Sequence, residues 1–184
     1  MWILIGIIVV VVLVLVVWPI TIYNSLVSLR TRIDNAWSQI DVQLNRRHDL
    51  IPNLVETVKG YASHERETLE AVISARNTAV SAHSPAEAAQ AENMITGALG
   101  KLFALSEAYP DLKADGNFRQ LQEELTATED RIAYARQFYN DQVRAYNIKI
   151  QQFPPVLVAN AAGFTAREFF AVEPGVRDVP TVEF

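Results

Sequence analysis

Residues 2–18 read WILIGIIVVVVLVLVVW, and no charged side chain follows until Arg30. At about 1.5 Å per residue, a helix from Trp2 to Tyr23 spans roughly 31 Å, which matches the roughly 30 Å hydrocarbon core of a bilayer. In lipid the backbone must satisfy its own hydrogen bonds, so a run of β-branched Val and Ile is helical there despite its strand propensity. Trp2 at one end, with Trp18 and Tyr23 at the other, stand where an aromatic belt lies. Pro19 falls near the end of the span, where a kink is tolerable. A cleaved signal peptide would need a basic n-region and small residues at a cleavage site, and neither is present. A core helix apolar on every side would be out of place in so small a domain. Residues 1–23 are therefore expected to form a retained transmembrane anchor. Lys and Arg are absent before the span, whereas Arg30, Arg32, Arg46 and Arg47 follow it, which places the C-terminal side in the cytoplasm.

Beyond Tyr23 the pattern becomes amphipathic. Ile22, Leu26, Leu29, Ile33, Ala36, Ile40 and Leu44 recur at spacings of four and three, a heptad-like stripe that faces partner helices. The anchor is thus expected to run into the first bundle helix without a linker. Pro52 lacks a backbone donor and should kink or end that helix, with Asp49 placed to cap a restart. Leu54, Val58 and Tyr61 resume the period, Gly60 and Ser63–Arg66 suggest a turn, and Leu69, Val72, Ile73, Ala75 and Ala79 carry a further helix to about Ser81. Ser84-Pro85-Ala86-Glu87 has the form of a capping box with Pro in the first turn. Ala88, Ala91, Ile95, Ala98, Leu102, Leu105 and Tyr109 follow at three-four spacing. Pro110–Gly116 is a loop by composition, and Asn117 with Gln120 has the spacing of a second capping box. The last helix reads Phe118, Leu121, Leu125, Ile132, Ala135, Tyr139, Tyr146, Ile150 and Phe153, with Thr128 and Gln142 filling two polar gaps. At about 1.5 Å per residue this helix exceeds roughly 50 Å. The expectation is an all-α chain: an anchor over 1–23, continuous with an elongated antiparallel, four-helix-type bundle over 24–152 that returns to the membrane surface.

Pro154 and Pro155 stop the last helix. The tail from 153 to 184 is rich in Phe: Phe153, Phe164, Phe169, Phe170 and Phe184. Such an apolar segment lies on the membrane interface, on the base of the bundle, or on a neighbouring subunit.

The sequence carries no recognisable catalytic centre. Without Cys there are no disulfides, zinc-thiolate sites or Cys nucleophiles. A net charge of −5, with both signs interspersed, argues against nucleic acid as a partner. His64-Glu65 would open a zincin motif, but the second His is replaced by Thr68. The residues three before His48, His64 and His83 are Asn45, Tyr61 and Val80, so no Glu-x-x-His pair exists for a di-iron bundle. No phosphate-binding or dinucleotide glycine pattern occurs. No catalytic, cofactor-binding or metal residue is assigned. The densest polar group is Arg46-Arg47-His48-Asp49, either a helix-end network or a docking corner for an acidic partner.

The run from Ile33 to Leu44 (IDNAWSQIDVQL) and the run from Arg46 to Ala62 (RRHDLIPNLVETVKGYA) resemble the LemA family. So do Tyr23-Asn24 with Leu26-Val27, Glu65 with Thr68-Leu69, Ala75-Arg76, and Phe153-Pro154 with Gly163-Phe164. Ala161-Ala162 departs from the bulkier apolar residue expected before Gly163. The resemblance implies a bacterial single-pass membrane protein with a long helical bundle and no established enzyme activity or cofactor. Two functions fit. One is a non-enzymatic scaffold that self-associates through its heptad faces and tail to organise or shape the membrane. The other is an adaptor that docks a membrane or envelope partner through the bundle.

Overall fold

The computed structural model describes residues 1–170 of the 184-residue chain. All regular structure among them is helical: α1 (Trp2–Tyr61), α2 (Arg66–Val80), α3 (Pro85–Ser106), α4 (Pro110–Ala114), α5 (Gly116–Gln151) and α6 (Pro155–Ala161). The chain divides into two compact units. One contains Met1–Gln39 with Gln137–Glu168; the other contains Ile40–Arg136 with Phe169 and Phe170.

The first unit holds the apolar half of α1, the C-terminal part of α5, and α6. From Trp2 to Val17 every side chain of α1 is exposed, so nothing among the described residues covers this run. Burial begins at Ile22 and recurs at Leu26, Ile33 and Ala36, the stripe the spacing predicts, with Leu29 half-buried. On α5 the buried positions are Tyr139, Val143, Tyr146 and Ile150. Val143 takes the place predicted for Gln142, because the interval from Tyr139 to Tyr146 is spanned by steps of four and three rather than three and four.

The second unit packs α2 and α3 with the remainder of α1 and α5 around Ile51, Leu54, Val58, Leu69, Val72, Ile95, Leu102, Phe118 and Leu125. Ser84 caps α3 as predicted: its side chain accepts from the Glu87 amide, and Glu87 accepts from the Ser84 amide. The predicted loop at Pro110 contains the short α4, started by Pro in its first turn. The second capping box is not the one predicted. Asp115, not Asn117, supplies the cap, its Oδ1 accepting from the Phe118 amide at 2.8 Å while Tyr61 Oη donates to Oδ2 at 2.9 Å. These two hydrogen bonds hold the Asp115 carboxyl below the ordinary aspartate range.

Pro52 does not end α1. Its missing amide leaves the carbonyl of His48, four residues earlier, without its helical donor. Arg76 Nε on α2 donates to that carbonyl at 3.3 Å and so repairs the helix from outside. With the helix unbroken, Asp49 caps nothing and is simply exposed. The turn after α1 falls at 62–65, where the Gly60 and Ser63–Arg66 signals place it.

Candidate functional site

Three groups of residues stand out from the sequence: the anchor aromatics, the polar corner at Arg46–Asp49, and the tail Phe residues. Trp2, Trp18 and Tyr23 are all exposed, at 84%, 41% and 45%. α1 is the one helix among the described residues that is long and apolar enough to cross a membrane.

The polar corner is split by the helix. Arg46 and Asp49 are exposed, whereas Arg47 and His48 are buried at 3% and 5% exposure. Arg47 and His48 therefore cannot meet a partner from solution, and a docking corner here reduces to Arg46 and Asp49. Nor is this a helix end, because α1 continues for more than three turns beyond it. Arg47 and His48 instead converge with α3 on a buried ionic cluster. Arg47 Nη1 donates to Glu92 Oε2 at 2.9 Å, and Arg47 Nη2 donates to Thr96 Oγ1 at 2.9 Å. His48 Nε2 donates to Glu92 Oε1 at 2.6 Å, so one buried carboxylate serves two side chains of α1. Glu129 on α5 brings Oε2 within 2.8 Å of Arg47 Nη2, close enough for attraction but without hydrogen-bond alignment. Arg47 lines a shallow cleft of about 230 Å³ with Thr96, Phe103, Leu125 and Glu129 among others, while its buried Nε has no acceptor among the described residues. A guanidinium cannot shed its charge, so its removal from water must be offset by these contacts.

The cluster was legible in part. Arg47 stands three after Leu44 and four before Ile51, on the buried stripe itself, and Glu92 stands four after Ala88 and three before Ile95. A single charge on each of two apolar stripes was the available signal. It is obscured on α1 by the expected break at Pro52. Thr96, Arg76 and Glu129 lie off the stripes and carry no such signal.

The tail residues separate into exposed and buried members. Phe153 is 79% exposed, Phe169 is 42% exposed, and Phe170 is buried at 2%. Phe164 meets Tyr23 edge to face, with ring centroids 5.6 Å apart. Residues 171–184, including Phe184, lie outside the described part. Between Phe164 and Glu168 the chain is strapped along α5 by side chains that take the place of a neighbouring strand. Tyr146 Oη donates to the Thr165 carbonyl at 3.0 Å, and Tyr139 Oη donates to the Glu168 carbonyl at 2.9 Å. Asn147 Nδ2 donates to the Arg167 carbonyl, and its Oδ1 accepts from the Arg167 amide, both at 2.9 Å. Burial pushes both phenols above the usual tyrosine value, which keeps each donor proton in place. Arg167 Nη2 completes the strap by donating to Asp34 Oδ1 on α1 at 2.6 Å.

Among the described residues no group of three or more His, Asp or Glu side chains is arranged to hold a metal.

A model of the LemA family matches residues 36–184. Protein LemA of Metamycoplasma hominis is 32% identical over 160 residues, covering 82% of this chain and 72% of the relative. Magnetosome protein MamQ 2 of Paramagnetospirillum magneticum is 27% identical, and Magnetosome protein MamQ of Magnetospirillum gryphiswaldense 26%, each covering 87% of this chain and 68% of the relative.

Proposed function

Because this chain belongs to the LemA family, we propose that it is a single-pass protein of the bacterial inner membrane whose cytoplasmic helical bundle acts as a self-associating, non-enzymatic scaffold. One observation carries the reading. Side chains from Trp2 to Val17 are apolar and wholly uncovered, and the same helix continues without interruption into a bundle. In water such a surface would be far larger than a soluble monomer tolerates; in a bilayer it needs no further cover. Residues 1–23 serve as the anchor, 24–152 as the bundle, and 153–184 as a contact segment. The basic flank at Arg30 and Arg32 supports a cytoplasmic bundle. In the buried polar cluster, Glu92 on α3 takes hydrogen bonds from Arg47 and His48 on α1, which ties the two helices together.

Size in detergent and in nanodiscs, by light scattering, tests self-association. An oligomer that persists on dilution supports it, and a monomer in both media overturns it. A membrane-impermeant thiol reagent on intact cells, applied to single-Cys variants at Tyr134, decides the side of the bundle: labelling before lysis refutes the cytoplasmic assignment.

The adaptor reading is favoured by a specific feature of α1. Val42, Arg46 and Asp49 lie at spacings of four and three and are all exposed, which presents one mixed apolar and charged face. Cross-linking in native membranes separates the readings, since a scaffold gives adducts with itself and an adaptor gives adducts with a different protein.

A further inference from the structure

The turn that joins α5 to α6, and α6 itself, each carry a large apolar side chain for which the strap has no use. Phe153 is 79% exposed and Leu157 is 59% exposed, and they stand four residues apart. From Ile150 to Ala166 no residue is charged, although Lys149 and Arg167 bracket the stretch.

Its level along α1 follows from pairings within the first unit. Trp37 on α1 meets Tyr139 on α5, with ring centroids 5.6 Å apart. The strap climbs α5 from Tyr146 to Tyr139 as it passes from Phe164 beside Tyr23 to Arg167 beside Asp34, so α1 and α5 run antiparallel here. From Tyr139 to the end of α5 at Gln151 is about 18 Å, and the same distance back along α1 from Trp37 reaches about residue 25. The Tyr23–Phe164 ring contact gives the same level independently. The turn therefore lies beside the Trp18–Tyr23 end of the apolar span, several residues short of the first charge at Arg30.

We propose that Phe153 on the turn and Leu157 on the short helix α6 form a second membrane contact, seated in the boundary between lipid headgroups and acyl chains beside the anchor. The occupant of this face is lipid. It adjoins the uncovered run of α1, which the bilayer covers, and an uncharged stretch with an exposed Phe and Leu is what that boundary accepts. The anchor and this contact together would fix the tilt of the first unit at the surface, which one helix alone leaves free. The proposal rests on the anchor reading, and the test separates the two.

The absence of native Cys permits single-Cys labelling without background. Nitroxides are placed on full-length Phe153→Cys, Leu157→Cys, Val10→Cys and Phe138→Cys in nanodiscs of phosphatidylethanolamine and phosphatidylglycerol. Collision with oxygen, which concentrates in lipid, is compared with collision with a water-soluble nickel chelate. All four side chains are exposed or partly so, and circular dichroism verifies that each variant is folded. The expected result is an oxygen-to-nickel ratio at 153 and 157 several-fold above that at 138, which lies about 20 Å up α5 from the turn. Ratios at 153 and 157 equal to that at 138, with lipid-like values at 10, overturn the second contact and leave the anchor standing. Protection at 153 and 157 from both reagents overturns it in favour of a second copy of the chain. A water-like value at 10 overturns the anchor itself.

Discussion

Replacing Glu92 by Leu tests whether the buried cluster holds α1 to α3. The substitution keeps side-chain size roughly constant while removing the acceptors of two hydrogen bonds, from Arg47 at 2.9 Å and from His48 at 2.6 Å. Arg47 cannot shed its charge. Arg47 keeps Thr96 and the attraction of Glu129, whose side chain is 45% exposed and so offers a counter-charge largely screened by water. Removing one partner of a buried pair costs about 3–5 kcal/mol, chiefly because the other charge is stranded. For a chain of this size each kcal/mol moves Tm by about 2–4 °C, so a fall of roughly 6–20 °C is expected. The assay is thermal unfolding of the full chain in one detergent, followed by far-ultraviolet circular dichroism. The double variant Arg47→Met with Glu92→Leu removes the stranded charge and should recover at least half of the loss. A single variant within about 1 kcal/mol of the parent refutes the reasoning, as does a double variant worse than the single, since either shows that the buried guanidinium is not what sets the cost.

Arg76→Ala should destabilise by about 1 kcal/mol in the parent, where the His48 carbonyl depends on it, and by much less in a Pro52→Ala background that restores the helical amide; urea unfolding of the four combinations reads the coupling. Asn147→Ala removes two hydrogen bonds worth about 0.5–1.5 kcal/mol each and should speed hydrogen exchange at the Arg167 amide while leaving the second unit's amides unchanged. Asp115 is held below its ordinary range, so it contributes stability that is complete above the unfolded value of about 3.9 and is lost as pH falls through the lower folded value. Asp115→Asn keeps a good cap, so its stability difference from the parent, measured by urea titration, should shrink across that acid window and stay flat from neutral pH down to its upper edge.

Helix content, the long apolar N-terminal helix and most of the buried stripe were legible because each depends on local periodicity. Ile22, Leu26, Ile33, Ala36, Ile40 and Leu44 are buried at the predicted positions. What the sequence concealed depends on groups distant in the chain. Pro52 breaks a helix only if the carbonyl it frees goes unpaired, and the residue that pairs it, Arg76, lies 28 positions later on another helix. Asn117 has the right spacing for a cap, but Asp115 wins because Tyr61, 54 positions earlier, donates to its second oxygen. The strap was missed for the same reason: Asn147 is an ordinary polar residue on α5 until the backbone of Arg167 lies beside it. Phe153 shows the opposite error. It continues the heptad of α5 on paper, yet α5 ends before it and the side chain is left uncovered.

The position of the ionic cluster on the stripes suggests why a bundle would keep so costly a feature. Leu, Ile and Ala along α1 and α3 can interdigitate in several registers, and apolar packing alone distinguishes them weakly. With Arg47 and Glu92 on those stripes, a slip by one turn, about 5.4 Å, leaves a buried guanidinium without its carboxylate. Register is then enforced by the penalty for the wrong alignment rather than by the strength of the right one. This hypothesis separates stability from uniqueness in the Arg47→Met, Glu92→Leu variant. Its unfolding free energy should lie near the parent's, while its near-ultraviolet circular dichroism weakens and it binds ANS, the signs of side chains that no longer hold one arrangement. Parent-like near-ultraviolet spectra and no ANS binding would show that the apolar stripes choose their own register, and the cluster would then need a different explanation.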